Sequence, residues 1–321
     1  MSRRFDNKRL LFILAGLLLI LLLTVLIKMP GGKSTLKGNL VEIDTAAVMK
    51  IIITPKGGTG KSFEFVRGVD KWTVNQDNIK STPTKGAVQN LLTEILSIKP
   101  QSLAAVGKSK WEEYELTDSL ATRVKLVNKK GRDISDIMTG KFTYKQIDNP
   151  YGGYGGNNIQ GTTYVRLSGD ENIYTVDGFL AFSFGGGFND WRDKSFIACN
   201  KDDITRFTFT LPSGSSFNLA RKDSLWFAGN QPADSSNTAN YLNSVSRIDG
   251  QEFKDGFNPG SSPMYQMVIE GNNLLNITVK CYKGEAENEY ILNSSLNPEV
   301  YFVSKSDDIF EKLFKPINYF M

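Results

Sequence analysis

The run Pro55-Lys56-Gly57-Gly58-Thr59-Gly60-Lys61-Ser62 is spelled like a loop that holds a nucleotide phosphate. In such a loop glycines let backbone N–H groups wrap the phosphates, a lysine neutralises them, and a helix starting at the loop aims its positive end at the anion. The strict pattern needs glycine where Pro55 stands, but the variant K-G-G-x-G-K-[ST] is complete from Lys56 to Ser62. The next residues along the chain argue against that chemistry. Phe63, Phe65 and Arg67 alternate with other side chains, Gly68 to Asp70 reads as a turn, and Trp72 and Val74 alternate again. That pattern is strand, turn, strand, so the expectation is a hairpin turn, with a nucleotide hydrolase as a distant alternative.

The other reactive residues narrow the choice. The chain contains no histidine, which excludes Ser-His-Asp triads, histidine general bases and histidine-ligated metals. Cys199 and Cys281 are the two cysteines, either small buried thiols or one disulfide. The acidic pairs Glu112 with Glu113, Asp202 with Asp203, and Asp307 with Asp308 offer carboxylates for glycoside cleavage. Adjacent carboxylates on short strands point to opposite faces and are ordinarily solvated. Two glycine-rich stretches, Asn149–Gly161 and Phe182–Trp191, display aromatic rings that can stack on sugars or on a partner's side chains. Tyr151, Tyr154 and Trp191 are the binding residues they nominate. No catalytic residue, cofactor or metal ligand is expected.

These residues need elements to carry them. The chain has 321 residues, 40% hydrophobic and 22% charged, a globular composition. Leu10–Ile27 is uncharged and would span about 27 Å as a helix, enough to cross a bilayer. Arg3, Arg4, Lys8 and Arg9 precede it, so residues 1–9 are expected in the cytoplasm and the bulk of the chain across the membrane. Residues 1–37 hold seven basic side chains and one acid, so the remainder carries a small negative excess and does not suit nucleic acid. Residues 28–40 read as a linker. Beyond it, "FEFVRGVDKW" (Phe63–Trp72) and "FNLARKDSLW" (Phe217–Trp226) match at Phe63, Phe65, Arg67 and Trp72 with identical internal spacing. Upstream, "MKIIIT" parallels "ITRFTF". Downstream, Leu92, Ile95 and Ile98 parallel Leu242, Val245 and Ile248, apolar at helical spacing. Short alternating runs after each helix fit antiparallel meanders. The expected fold class is α+β, a transmembrane helix followed by two tandem related modules at 41–197 and 202–321, each an antiparallel sheet with a packed helix. Arg67 and Arg221, at matching positions, are expected to share a structural task.

Several motifs in order resemble a bacterial family known as domain of unknown function 4340. They are Trp72, the paired Leu91 and Leu92, "YEL" (Tyr114–Leu116), "MTG" (Met138–Gly140), "YVR" (Tyr164–Arg166) and "WRDKSF" (Trp191–Phe196). The chain departs from the pattern at Glu115, where the family favours glycine, and in its glycine-rich insert. The resemblance implies a membrane-anchored extracytoplasmic protein related to the GldG-type auxiliary components of gliding-motility ABC transporters. It supplies no catalytic residue. The expected function is therefore a binding or scaffold accessory in the bacterial inner membrane, not an enzyme, with the bilayer and ABC transporter subunits as partners. A cell-envelope glycan-binding or glycan-cleaving protein using the aromatic-glycine stretches is the alternative.

Overall fold

Residues 38–58, 61–147, 158–212, 214–305 and 309–321 are described by a computed structural model. Within them, the alternating runs pair as antiparallel ladders because one face of each strand is apolar and must be covered. The first nine strands are β1 (Val48–Thr54), β2 (Phe63–Arg67), β3 (Trp72–Gln76), β4 (Ile79–Ser81), β5 (Pro100–Val106), β6 (Thr122–Asn128), β7 (Asp133–Ile147), β8 (Asn158–Leu167) and β9 (Asn172–Asp177). They form one sheet in the order β4-β3-β2-β1-β6-β7-β8-β9-β5. The next strand, β10 (Ser195–Ala198), pairs instead with β15 (Arg247–Asp249). A second nine-stranded sheet comprises β11 (Ile204–Thr210), β12 (Ser216–Lys222), β13 (Leu225–Ala228), β14 (Gln231–Pro232), β16 (Glu252–Phe253), β17 (Tyr265–Gly271), β18 (Leu274–Lys283), β19 (Tyr290–Ser294) and β20 (Tyr301–Ser304). Its order is β14-β13-β12-β11-β17-β18-β19-β20-β16, position for position that of the first sheet.

Each sheet buries one face under a helix. In α1 (Ala87–Leu96), Val88, Leu91, Leu92 and Ile95 make a buried stripe at three- and four-residue spacing. The helix stops before Pro100, which disfavours helical backbone at the residue preceding it. Ile98, expected on this stripe, lies past the helix end but is still buried. Two single-turn helices come after β9, namely α2 (Leu180–Ser183) and α3 (Phe188–Trp191). In the second body, α4 (Ser235–Val245) is capped by the Asp234 carboxylate, which accepts from the Asn237 N–H at 2.7 Å, and buries Thr238, Tyr241 and Val245. A short α5 (Ile309–Leu313) comes after the last strand, β20. Ile51, Ile53, Phe63, Phe65 and Val165 belong to the core under α1, whereas Phe207, Phe209, Leu219, Met267 and Phe302 belong to the core with α4. Burial of each such side chain stabilises by about 1.5–3 kcal/mol.

The ladders correct one alignment. Ile51 lies opposite Phe65 and Phe207 opposite Leu219, while Ile53 faces Phe63 and Phe209 faces Phe217. The counterpart of Val48–Thr54 is thus Ile204–Thr210, one residue away from the pairing of "MKIIIT" with "ITRFTF". The bulges agree, with register shifts between Val48 and Lys50 in one ladder and between Ile204 and Arg206 in the other. A one-residue slip would exchange the buried and solvent faces of the strand, so the core decides the register. Arg67 donates to the carbonyls of Ala46 at 3.0 Å and Thr45 at 3.2 Å, and Arg221 donates to that of Asp202 at 3.3 Å. Both arginines tie down the 3-10 turn that precedes the first strand of their sheet.

The strand at 195–198, counted with the first module in the sequence, contributes Phe196 and Ile197 to the second core. Among the described residues no helix is long and apolar enough to cross a membrane. The anchor expected at Leu10–Ile27 and most of its linker lie outside the described residues.

Candidate functional site

The phosphate-loop spelling sits in the β1–β2 connection. Lys56–Gly58 is a single 3-10 turn with Gly57 at φ +78°, and β2 begins at Phe63. The loop therefore leads into a strand paired back onto β1, which leaves no helix end to meet a phosphate. Lys61 donates to the Asp77 carboxylate at 2.7 Å, and this bond and its charge raise the lysine pKa. Lys56 pairs with Glu115. Gly57 supplies the left-handed residue of a hairpin turn that is two residues longer than its counterpart between β11 and β12.

Three of the family motifs, "YEL", "MTG" and "YVR", converge on the opposite face of the first sheet. Leu116, Met138 and Ile173 form a small buried cluster lined by Trp111, Tyr114 and Tyr164. The rings of Tyr114 and Tyr164 lie 4.7 Å apart. Arg166 is buried, its Nε donates to the Leu116 carbonyl at 2.9 Å, and its guanidinium lies 3.7 Å from the Trp111 ring centroid. Burial lowers its pKa, from a value so high that the charge stays. Gly140 packs directly on the carbonyls of Tyr114 and Glu115, and Glu115 itself holds a left-handed φ of +57°. The family's preference for glycine at that place has a backbone cause. This corner positions a chain turn: Arg166 bonds the Leu116 carbonyl, the Glu115 carboxylate is held by Lys56, and the buried Trp111 indole N–H has no hydrogen-bond partner among the described residues.

Arg192, next to Trp191, joins the two bodies. Trp191 is half-buried, meets Phe65 edge to face at 5.4 Å and donates from Nε1 to the Gly186 carbonyl at 3.4 Å. It serves the first core and does not offer an open ring face. Tyr151 and Tyr154 lie outside the described residues. Arg192 forms a two-pronged pair with Asp255 at 2.9 and 2.7 Å and stacks 3.7 Å over Phe253. Of the acidic pairs, Glu113 is taken by Lys110 at 2.8 Å and Asp202 lies in a 3-10 turn, while Asp307 and Asp308 fall outside the described residues. Among the described residues no cluster of three acidic or cysteine side chains is placed to hold a metal.

One open aromatic surface stands at the far end of the β7–β8 hairpin. Phe142 is its centre, with Phe179 at 5.2 Å, Phe182 edge-on at 5.0 Å and Tyr144 stacked at 6.4 Å. Gly161 lies beneath Phe142, close enough that a β-carbon there would touch the ring. Phe182 is 67% exposed, Tyr144 68%, Ile159 49% and Phe179 46%. The platform joins the ends of the two aromatic-glycine stretches, but through residues the sequence did not nominate. Phe142 and Tyr144 alternate along "KFTYKQ"; what that short alternation lacks is any sign of Phe179 and Phe182 from a later segment.

A protein made of two equally ordered antiparallel sheets, each with a packed helix, and carrying an exposed aromatic patch on one of them belongs to the α+β class. The family described as Domain of unknown function (DUF4340) matches residues 83–266, more than half of the chain, and the chain belongs to that family. Comparison with curated proteins and with solved structures finds no match. The matched stretch begins beside α1, crosses the Arg192 joint and ends in β17, so it contains the motif corner and the aromatic patch.

Proposed function

We propose that the protein is a single-pass, membrane-anchored binding accessory of an envelope ABC transporter complex, moored through Leu10–Ile27 with both sheets in the periplasm. The observation that supports it is the aromatic patch of Phe142, Tyr144, Phe179 and Phe182. A patch of several exposed rings on a folded body is a feature of contact surfaces and is uncommon on an isolated monomer. Its mechanism is contact. The charged groups nearby in the motif corner and joint hold backbone and neighbouring bodies in place.

Purification of the full chain in mild detergent tests this. ATPase and permease subunits should co-purify in fixed stoichiometry, and Tyr144→Ser with Phe182→Ser should release them while the protein stays in the membrane fraction. A monomer at every concentration, with no stoichiometric companion, would overturn the proposal. Protease added outside spheroplasts should digest the sheets; protection from it would place them on the wrong side.

A further inference from the structure

The two sheets share one strand order, so each serves as a control for the other. In the second body, Lys283 faces Tyr290 where β18 and β19 end. Following the ladders outward from Val124 and its counterpart Met267, Tyr290 corresponds to Thr163 and its partner Lys283 to Phe142, the register shift between Thr139 and Phe142 taking up one residue of β7. The first body continues past this level with Thr143–Ile147 on β7 and Asn158–Thr162 on β8. Tyr144, Ile159 and Gly161 therefore lie on an extension that the duplicate lacks, and Phe142 stands at its base. The helices differ in the same sense. In the second body Phe310 of α5 stacks on Tyr290 at 3.6 Å and is 8% exposed. In the first, α2 leaves Phe182 open against the extension. The same scaffold is sealed in one copy and carries an added apolar surface in the other.

Register shows what that surface presents. Thr163 pairs with Phe142, Gly161 with Tyr144 and Ile159 with Gln146, and these alternate positions continue the face of the core residue Val165. Lys145, paired with Gln160, points to the other side. The described part of the platform face thus carries aromatic and aliphatic groups, one phenol and one amide, and no charge. At the exposures given above it amounts to an apolar area on the order of 450 Å². A stable protein dimer needs about 800 Å² from each partner, so this patch alone does not hold two copies together. A sugar would need several polar side chains around its ring edges, and the face supplies two groups.

We infer that this extension is a docking platform for a short, uncharged, apolar segment of a different protein, which buries its side chains against Tyr144, Ile159, Phe179 and Phe182. The assignment rests on the contact function proposed above and adds the chemistry of the occupant. Uncharged apolar segments gain on this face by area alone, whereas a charged one would lose hydration with no ion to meet.

Selection of random dodecapeptides against the immobilised full chain tests it. The expected peptides share uncharged hydrophobic residues, and Tyr144→Ser and Phe182→Ser each weaken their binding by about tenfold or more, the size of one lost anchor. Lys145→Ser, on the reverse face, should change binding by less than about twofold. Both platform residues are exposed, and unchanged thermal unfolding of the variants certifies the fold. Selected peptides that are predominantly charged, or binding indifferent to both variants, would overturn the inference. Parallel arms use phosphatidylcholine vesicles, chitohexaose, and sedimentation of the chain alone. If vesicles, the oligosaccharide or a second copy bind in a manner lost in the variants while peptides do not, the occupant is wrong and the contact function survives. If no arm distinguishes the variants from the parent chain, both fall.

Discussion

Tyr241 is fully buried, and its hydroxyl donates to the Leu313 carbonyl at 2.7 Å and touches the Met267 sulfur at 3.3 Å. Burial, and secondarily the nearby Tyr319, pushes its pKa well above the usual phenol value; burial likewise raises the Cys281 thiol. Both groups fold in their protonated form. Their contribution is complete below the ordinary thiol and phenol values and is lost as pH rises through about 9 to 10 and beyond. Urea unfolding should therefore show stability falling on the alkaline side. Tyr241→Phe should lose about 1–2 kcal/mol at neutral pH, because the Leu313 carbonyl is left without its donor, yet show a smaller alkaline decline. An equal decline in both proteins would assign the linkage elsewhere. Gly140 makes a second residue-scale prediction. A β-carbon there would collide with the backbone carbonyl oxygens of Tyr114 and Glu115, which cannot rotate away, so Gly140→Ala should cost about 3 kcal/mol or more. Glu115→Gly acts in the other direction. It relieves a left-handed φ worth about 1–2 kcal/mol, offset by chain entropy and by the half-exposed Lys56 pair, and should be neutral to about 1 kcal/mol stabilising in thermal unfolding.

Among the elements, the phosphate-like loop shows how a local spelling is overruled by what it connects. Lys61 is exposed and joined to an exposed Asp77, so Lys61→Ala should alter stability by no more than about 0.5 kcal/mol. Mg-ATP should leave the unfolding temperature of parent and variant alike unchanged; a shift confined to the parent would restore the nucleotide loop. Strands with clean alternation were legible from sequence, as in "NIYTVD" (Asn172–Asp177) and "LLNITVKCYK" (Leu274–Lys283), whose bounds match β9 and β18. The repeat was legible too, because Phe63, Phe65, Arg67 and Trp72 keep their spacing where the hairpin geometry requires it. The register of its first strand is not legible to the residue, since period-two patterns look alike after a slip until a buried face picks one. β5 is not legible, for "PQSLAAV" is an edge strand with two register shifts and little alternation. β17 is hard to read as well, because Val268 stands between the buried Met267 and Ile269 and blurs their alternation. The platform was least legible. Trp191 has the ring and the neighbouring glycines of a stacking residue, but Phe65 claims it, whereas Phe142, Phe179 and Phe182 meet only after β7, β8 and β9 have paired.

At the scale of the whole molecule, two cores are held at one joint. The Asp193 N–H donates to the Thr82 carbonyl at 2.8 Å on the first body, while the Asn297 amide donates to the Asp193 carbonyl at 3.1 Å from the second. Arg192 adds the charged contact. Its side chain is 3% exposed against 34% for Asp255, and it lies between Phe188 at 5.2 Å and Phe253 at 3.7 Å. This asymmetry ranks the two ways of breaking the pair. Asp255→Ala strands a buried guanidinium and should cost about 3–5 kcal/mol. Arg192→Met keeps much of the packing between the rings and leaves a carboxylate that water already reaches, so its cost should be about 1–2 kcal/mol. In either variant the bodies lose a fixed orientation before they lose their cores, each of which has its own buried set. Calorimetry should then resolve two transitions where the parent shows one, and small-angle scattering should report a larger radius of gyration at temperatures below both. If Arg192→Met proves the more damaging substitution, the ring contacts outweigh the ion pair in setting how the two sheets stand to each other; if neither variant splits the transition, the backbone bonds through Asp193 suffice to lock them.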